Sequence, residues 1–200
     1  MMKKNLFLKL ILMISVLTTM DCAGLRFSES APEAKGFHPQ TIAVFPVEIW
    51  NSEENKVVKA ATENMIAGEL VKKKWFKRVV DKETMNSKQL ADEELNKAMK
   101  GYLAKLQALK FSDPDLSQKI GELAGVDAFL MVSIDEWSYA VERGENIAKV
   151  GMTMKLYEAS TGNLIWKAGH DVKEDYIMIK PDLTKLALDV IHKMITYMPH

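Results

Sequence analysis

The chain has 200 residues, 48% of them hydrophobic, with 27 basic against 27 acidic side chains and one cysteine. That length can bury the core of one domain, and a single cysteine excludes both an intramolecular disulfide and a paired-cysteine metal or redox site. Balanced charge, with no basic block longer than Lys72-Lys73-Lys74, argues against non-specific nucleic-acid binding.

Lys3, Lys4 and Lys9 lead into an apolar run from Leu10 to Met20. The run is too short to span a bilayer and has the size of a signal-peptide core. A sole cysteine at the end of such a core, Cys22, resembles the lipidation site of a bacterial lipoprotein. Asp21 stands before it, where that pattern has a small residue. Residues 1–21 are therefore predicted to be a lipoprotein signal peptide removed ahead of an acylated Cys22. The alternative is an uncleaved anchor with an incidental cysteine. Removal leaves 24 basic against 26 acidic side chains, a net charge of −2. Residues 22–38, rich in Ser, Pro, Glu and Gly, are predicted as the lipidated cysteine and a short flexible tether. The folded domain then spans 39–200.

Thr41 to Ile49 is a first strand, and Pro46 argues for an edge position or a bulge in it. Asn51 or Ser52 caps a helix running to about Lys73, with Val58, Ala61, Met65, Ile66 and Leu70 on one stripe. Trp75 to Asp81 is a second short strand. A helical region from about Asn86 to Lys110 places Leu95, Met99, Tyr102, Leu106 and Leu109 on one face, with Gly101 as a candidate break. Asp113-Pro114 opens the next helix, Leu116, Ile120 and Leu123 form its buried stripe, and Gly125 ends it.

Asp127 to Glu136 is an almost unbroken apolar run that suits a strand buried on both faces. In Ile147 to Glu158, Ala148, Val150, Met152, Met154 and Leu156 alternate with Lys149, Gly151, Thr153, Lys155 and Tyr157, so one face is dry and the other wet. Leu164, Trp166 and Ala168 repeat that parity. Turns at 142–146 and 160–163 carry the Gly and Asn that hairpins need for positive φ. Pro181-Asp182 opens a final helix with Leu183, Leu186, Ala187, Val190, Ile191, Met194 and Met198 at helical spacing. The expected fold is a single α/β domain in the order β-α-β-α-α-β-β-β-α. Its mixed five-stranded sheet ends in an antiparallel meander, with helices packed on the sheet.

Four segments, read together, resemble a known group. They are Thr41-Ile42-Ala43-Val44-Phe45-Pro46, Trp75 to Asp81, Ile120 to Ala128 and Leu156 to Trp166. Their order, behind a signal core and a lone cysteine, looks like the bacterial envelope lipoprotein superfamily that includes CsgG and LpoB, with a domain like the amino-terminal part of TolB. The likeness covers about 41–197. It implies an accessory or assembly role in the cell envelope through protein contact, with no catalytic residues. A CsgG-like oligomeric secretion complex is the alternative. Ala23, following the cysteine, lacks the aspartate that retains some such lipoproteins in the inner membrane, so the resemblance places the protein on the periplasmic face of the outer membrane.

Residue chemistry points the same way. Ser133, Asp135 and His170 would supply a hydrolytic triad if they met, but Ser133 has no Gly-x-Ser-x-Gly elbow, and a small residue in a buried strand explains it better. No histidine pair has metal-ligand spacing, no glycine-rich loop suits a phosphate, and no cofactor or metal is expected. The thirteen methionines fall on core stripes. Aromatics near strand ends stand out instead. Parallel strands one and three would send Trp50 and Trp137 from the same end of the sheet. Tyr139 lies just beyond, Tyr176 comes from the fifth strand, and Arg143 is close by. Aromatic anchors beside an arginine are the composition of an interface centre, so these five residues are the candidate partner-binding set. The alternative is that the rings cap the core. The expected partner is an envelope protein, the membrane is reached through the lipid anchor, and homo-oligomerisation is left open.

Overall fold

Four of the five α-helices among the described residues begin at an aspartate whose carboxylate takes a backbone N–H of the first turn. A computed structural model, which describes residues 25–49 and 56–200, places these caps at Asp81, Asp92, Asp113 and Asp182. They start α2 (Lys82–Ala91), α3 (Glu93–Leu109), α4 (Pro114–Ala124) and α5 (Leu183–Thr196). The remaining helix, α1, spans Lys56–Lys73, and the predicted cap at Asn51 or Ser52 lies outside the described residues. The break expected at Gly101 falls instead at Asp92, whose φ of −130° ends α2 while its side chain caps α3 on Leu95 N–H. A competent cap outweighs a tolerated helix glycine. Gly125, at φ +65°, ends α4 as expected.

Among the described residues the sheet has seven strands rather than five: β1 (Phe27–Ser30), β2 (Thr41–Val44), β3 (Glu48–Ile49), β4 (Arg78–Val80), β5 (Ala128–Glu142), β6 (Glu145–Glu158) and β7 (Leu164–Tyr176). Their order is β1-β7-β6-β5-β2-β4, with β3 also pairing β5. β2 is parallel to β4 and β5, while β5, β6, β7 and β1 run antiparallel in turn. The mixed α/β architecture and the meander agree with the sequence.

Both extra strands have a physical cause. Pro46 cannot donate to a ladder, so the predicted first strand splits around it. The edge position does not hold for β2, which lies inside the sheet between β4 and β5. The break leaves Val47 N–H, fully buried, to donate to Glu63 Oε1 at 2.9 Å. β1 lies within the predicted tether and corrects it. Phe27 pairs with Gly169, where an added Cβ would collide with the Phe27 ring. The aromatic ring covers the bare glycine and seats a strand too short to show any periodicity. A 3-10 turn, Pro32–Gly36, follows it.

Each face of the sheet has its own core. On one, α1 and α5 cover Ile42, Val44, Leu130, Val132, Val150, Met152, Met154, Leu156, Trp166 and Ala168. On the other, α2, α3 and α4 cover only Ala43, Phe45, Val80, Phe129, Met131 and Tyr157. Tyr157 is therefore buried rather than on the wet face, because the end of β6 passes beneath α3 and α4 and joins the rings of Phe129, Phe45 and Tyr102. Beyond Met131 this second face is open. There Arg26 donates to Asp135 at 2.8 Å and to Thr153 at 3.3 Å, and lies 3.8 Å from Asp171. The α5 stripe is buried as predicted, whereas Leu109, at the end of the α3 stripe, overhangs the sheet and is exposed.

Candidate functional site

The three meander strands outrun the helices that cover them. After a register shift between Ile134 and Glu136, β5 and β6 stay paired to Glu142 and Glu145, closing through Arg143 and Gly144 at φ +52° and +89°. A two-residue hairpin turn requires positive φ at both positions, so Arg143 takes the left-handed conformation that glycine takes beside it. Glu142 pairs with Lys149 and reaches Lys173 at 3.8 Å, which ties β5, β6 and β7 together near the tip.

Trp137 lies opposite Val150 and Tyr139 opposite Ala148, both on the parity of the core shared with α1 and α5. Exposure rises toward the tip. Trp137 is half-buried and packs on the core, Tyr139 is 40% exposed and Val141 69%. Tyr176 meets Tyr139 edge-on, ring centroids 5.9 Å apart. The Tyr139 hydroxyl donates to the Pro181 carbonyl at 2.6 Å, and Lys180 Nζ sits 4.8 Å from the same ring centre. Tyr139 thus holds the loop between β7 and α5.

That loop displays Ile177, Met178 and Ile179, which are 91%, 87% and 85% exposed. A contiguous apolar patch on otherwise polar surface marks an interaction site far better than scattered single residues do. The sequence reading passed over this triplet. Its signal was three apolar residues belonging to neither the strand alternation before Tyr176 nor the helical stripe after Asp182. Met178 also departs from the expectation that the methionines pack the core.

The structure brings Tyr139 and Tyr176 into contact, sets Trp137 beside them on the same face, and places Arg143 at the hairpin tip of the same rim. Trp50 and Cys22 lie outside the described residues; Ile49, just before Trp50, is paired with Ile134. Trp137 supports the core and Tyr139 supports the loop, so these two rings are partly capping residues. The barest part of the rim is the triplet they hold up.

The conjectured triad does not assemble. Ser133 lies opposite Thr153 on the open face, whereas His170 lies opposite Met152 on the face covered by α5. Asp135 accepts from Ser133 at 3.2 Å but is also taken by Arg26 and Thr153. His170 is buried, and that burial holds its imidazole below the ordinary value, with Asp171 opposing. Among the described residues no group of three or more His, Cys, Asp or Glu is placed to hold a metal ion. Nor is any helix among them long and apolar enough to cross a membrane.

No protein-family model matches the chain, and neither does any curated protein. Solved structures do share its fold. The PelC dodecamer of Paraburkholderia phytofirmans is 15% identical, with a TM-score of 0.54 over 86% of this chain and 95% of that one. The hypothetical protein CT253 of Chlamydia trachomatis is 10% identical, with a TM-score of 0.53 over 78% and 93%. Lipoprotein GNA1162 of Neisseria meningitidis, at 16% identity over 79% and 99%, scores 0.49, too low to support any argument.

Proposed function

We propose that this chain is a lipid-anchored accessory protein of the bacterial cell envelope, held at the periplasmic face of the outer membrane by Cys22. It acts by contact with envelope proteins and not by catalysis. The observation that carries the contact role is the hairpin rim, where the exposed Tyr139, Val141 and Arg143 share one end of the sheet with Tyr176. The anchoring role is supported by the signal-sized core ending at a sole cysteine and by the resemblance to envelope lipoproteins. Metabolic labelling with a fatty acid tests it. The wild-type chain should be tagged and lose residues 1–21, and Cys22→Ser should do neither. Label on both proteins, or an intact mass that retains the signal, would replace lipidation with an uncleaved anchor.

A second reading, assembly of several copies into one complex like the CsgG-type secretion rings, draws support from the PelC structures, which are described as dodecamers. The native mass of the full chain in detergent separates the two: a monomer favours the adaptor and a closed ring favours the assembly.

A further inference from the structure

The apolar triplet Ile177-Met178-Ile179 is held away from the core by both of its ends. On one side Tyr176 stays in the ladder opposite Asn146. On the other, Pro181 is bonded by Tyr139, and Asp182 caps α5 on Thr184 N–H at 2.8 Å. Four residues between fixed points cannot fold back under the sheet, and nothing among the described residues covers the three side chains.

The direction of the amino-terminal chain indicates what does. β1 runs antiparallel to β7, with Phe27 opposite Gly169 and Ser30 opposite Trp166, so a step back along the chain from Phe27 to Arg26 is a step toward the Tyr176 end of β7. Arg26 is held at the level of Asp135 and Asp171. Four residues from Arg26 to Cys22 reach at most about 14 Å. The five residues from Asp171 to Tyr176 cover about 17 Å along β7. A lipid on Cys22 can therefore lie within a few ångströms of the level of the rim. The backbone of Cys22 cannot reach the opposite end of the sheet, where Leu164 follows the turn at 160–163 about 23 Å from Asp171 along β7.

The rim's composition fits the same surface. Tyrosines with apolar bodies and polar tips, next to a lysine whose stem can lie along apolar surface, are what membrane interfaces collect. Nearby Arg143, Lys173 and Lys180 are offset by Glu145, Glu174 and Asp175, so apolar burial and not charge would drive the contact.

We infer that Ile177, Met178 and Ile179 insert into the boundary between headgroups and acyl chains of the bilayer that holds the lipid on Cys22. The inference rests on the lipid-anchor reading above and deepens it. Two attachments, the acylated cysteine and the loop, fix the domain with its rim toward the membrane. The protein partner is then one that lies in or on the same membrane.

The test uses the full chain with Met178→Cys, labelled with a thiol-reactive environment-sensitive fluorophore. It is reconstituted into phosphatidylcholine vesicles containing acyl-chain nitroxide lipid. Ser160→Cys, at the far end of the sheet, is the control. At 178 the emission should shift to the blue and be quenched several-fold by the nitroxide, insensitive to salt, while at 160 it should do neither. Ile177→Ser with Ile179→Ser should abolish the quenching and leave the melting temperature unchanged. An unquenched probe at 178 on vesicle-bound protein overturns the inference. So does a blue shift without quenching, the signature of a second copy or a protein covering the loop. Intact mass of the same samples reports on Cys22 separately. A lipidated Cys22 with an unquenched 178 leaves the anchor and removes the loop contact. If Cys22 is unmodified, the measurement is repeated in the Cys22→Ser chain. Quenching there keeps the loop contact without the anchor, and its absence removes both.

Discussion

Glu63 is a carboxylate 3% exposed in the middle of α1, and it repairs the gap that Pro46 opens in the sheet. Oε1 accepts from Val47 N–H at 2.9 Å and Oε2 from Lys82 Nζ at 2.7 Å, so one side chain joins the broken strand, α1 and α2. Glu63→Ala strands a buried backbone donor, which costs about 1–3 kcal/mol. Lys82, one-third exposed, can turn to water, so its lost ion pair adds at most about 1 kcal/mol. The expected sum is about 3 kcal/mol, or roughly 6–12 °C in Tm for a chain of this size. Glu63→Gln keeps an acceptor for Val47 and loses only the charge assistance, which costs about 1 kcal/mol. Urea unfolding of the three proteins, with hydrogen exchange at the Val47 amide, measures the difference. If glutamine costs as much as alanine, or alanine costs less than about 1 kcal/mol, Val47 does not depend on this acceptor and the reasoning fails.

Trp137→Ala should cost about 2 kcal/mol in thermal melting. Trp137 is half-buried on the core, so its cost lies between the near-zero effect of a free surface ring and the roughly 3–5 kcal/mol of a buried tryptophan. A change under about 0.5 kcal/mol would return Trp137 to the free interface set. For His170 the sign is set by burial, which lowers the folded imidazole below its ordinary 6.5. Its contribution is then fully present above that value and is lost as pH falls toward the folded one, because the unfolded chain takes up the proton first. Urea midpoints should decline as pH falls below about 6.5 in the wild type, and less steeply in His170→Leu. Parallel slopes in the two proteins would rule His170 out as the source.

Helices and meander were legible because their signals are local. An aspartate followed by proline at the start of α4, a stripe at helical spacing in α5, and five alternating residues of β6 each depend on neighbours a few positions away. The end of the sheet where the rim lies was legible for a related reason. Strands three and five run the same way, so Trp137, Tyr139 and Tyr176 had to emerge together. Tertiary structure alone decided what covers what. Tyr157 is buried and Lys155 exposed on one face because α3 and α4 reach only one of them. Phe27 becomes part of a strand because Gly169, more than a hundred residues later, leaves room for its ring. Ile177, Met178 and Ile179 read as unremarkable apolar residues, yet they are exposed because Tyr139 and Asp182 fix the loop where no helix among the described residues arrives. Periodicity states which side of an element is apolar, and only the arrival of another element from a distant part of the chain states whether that side is covered.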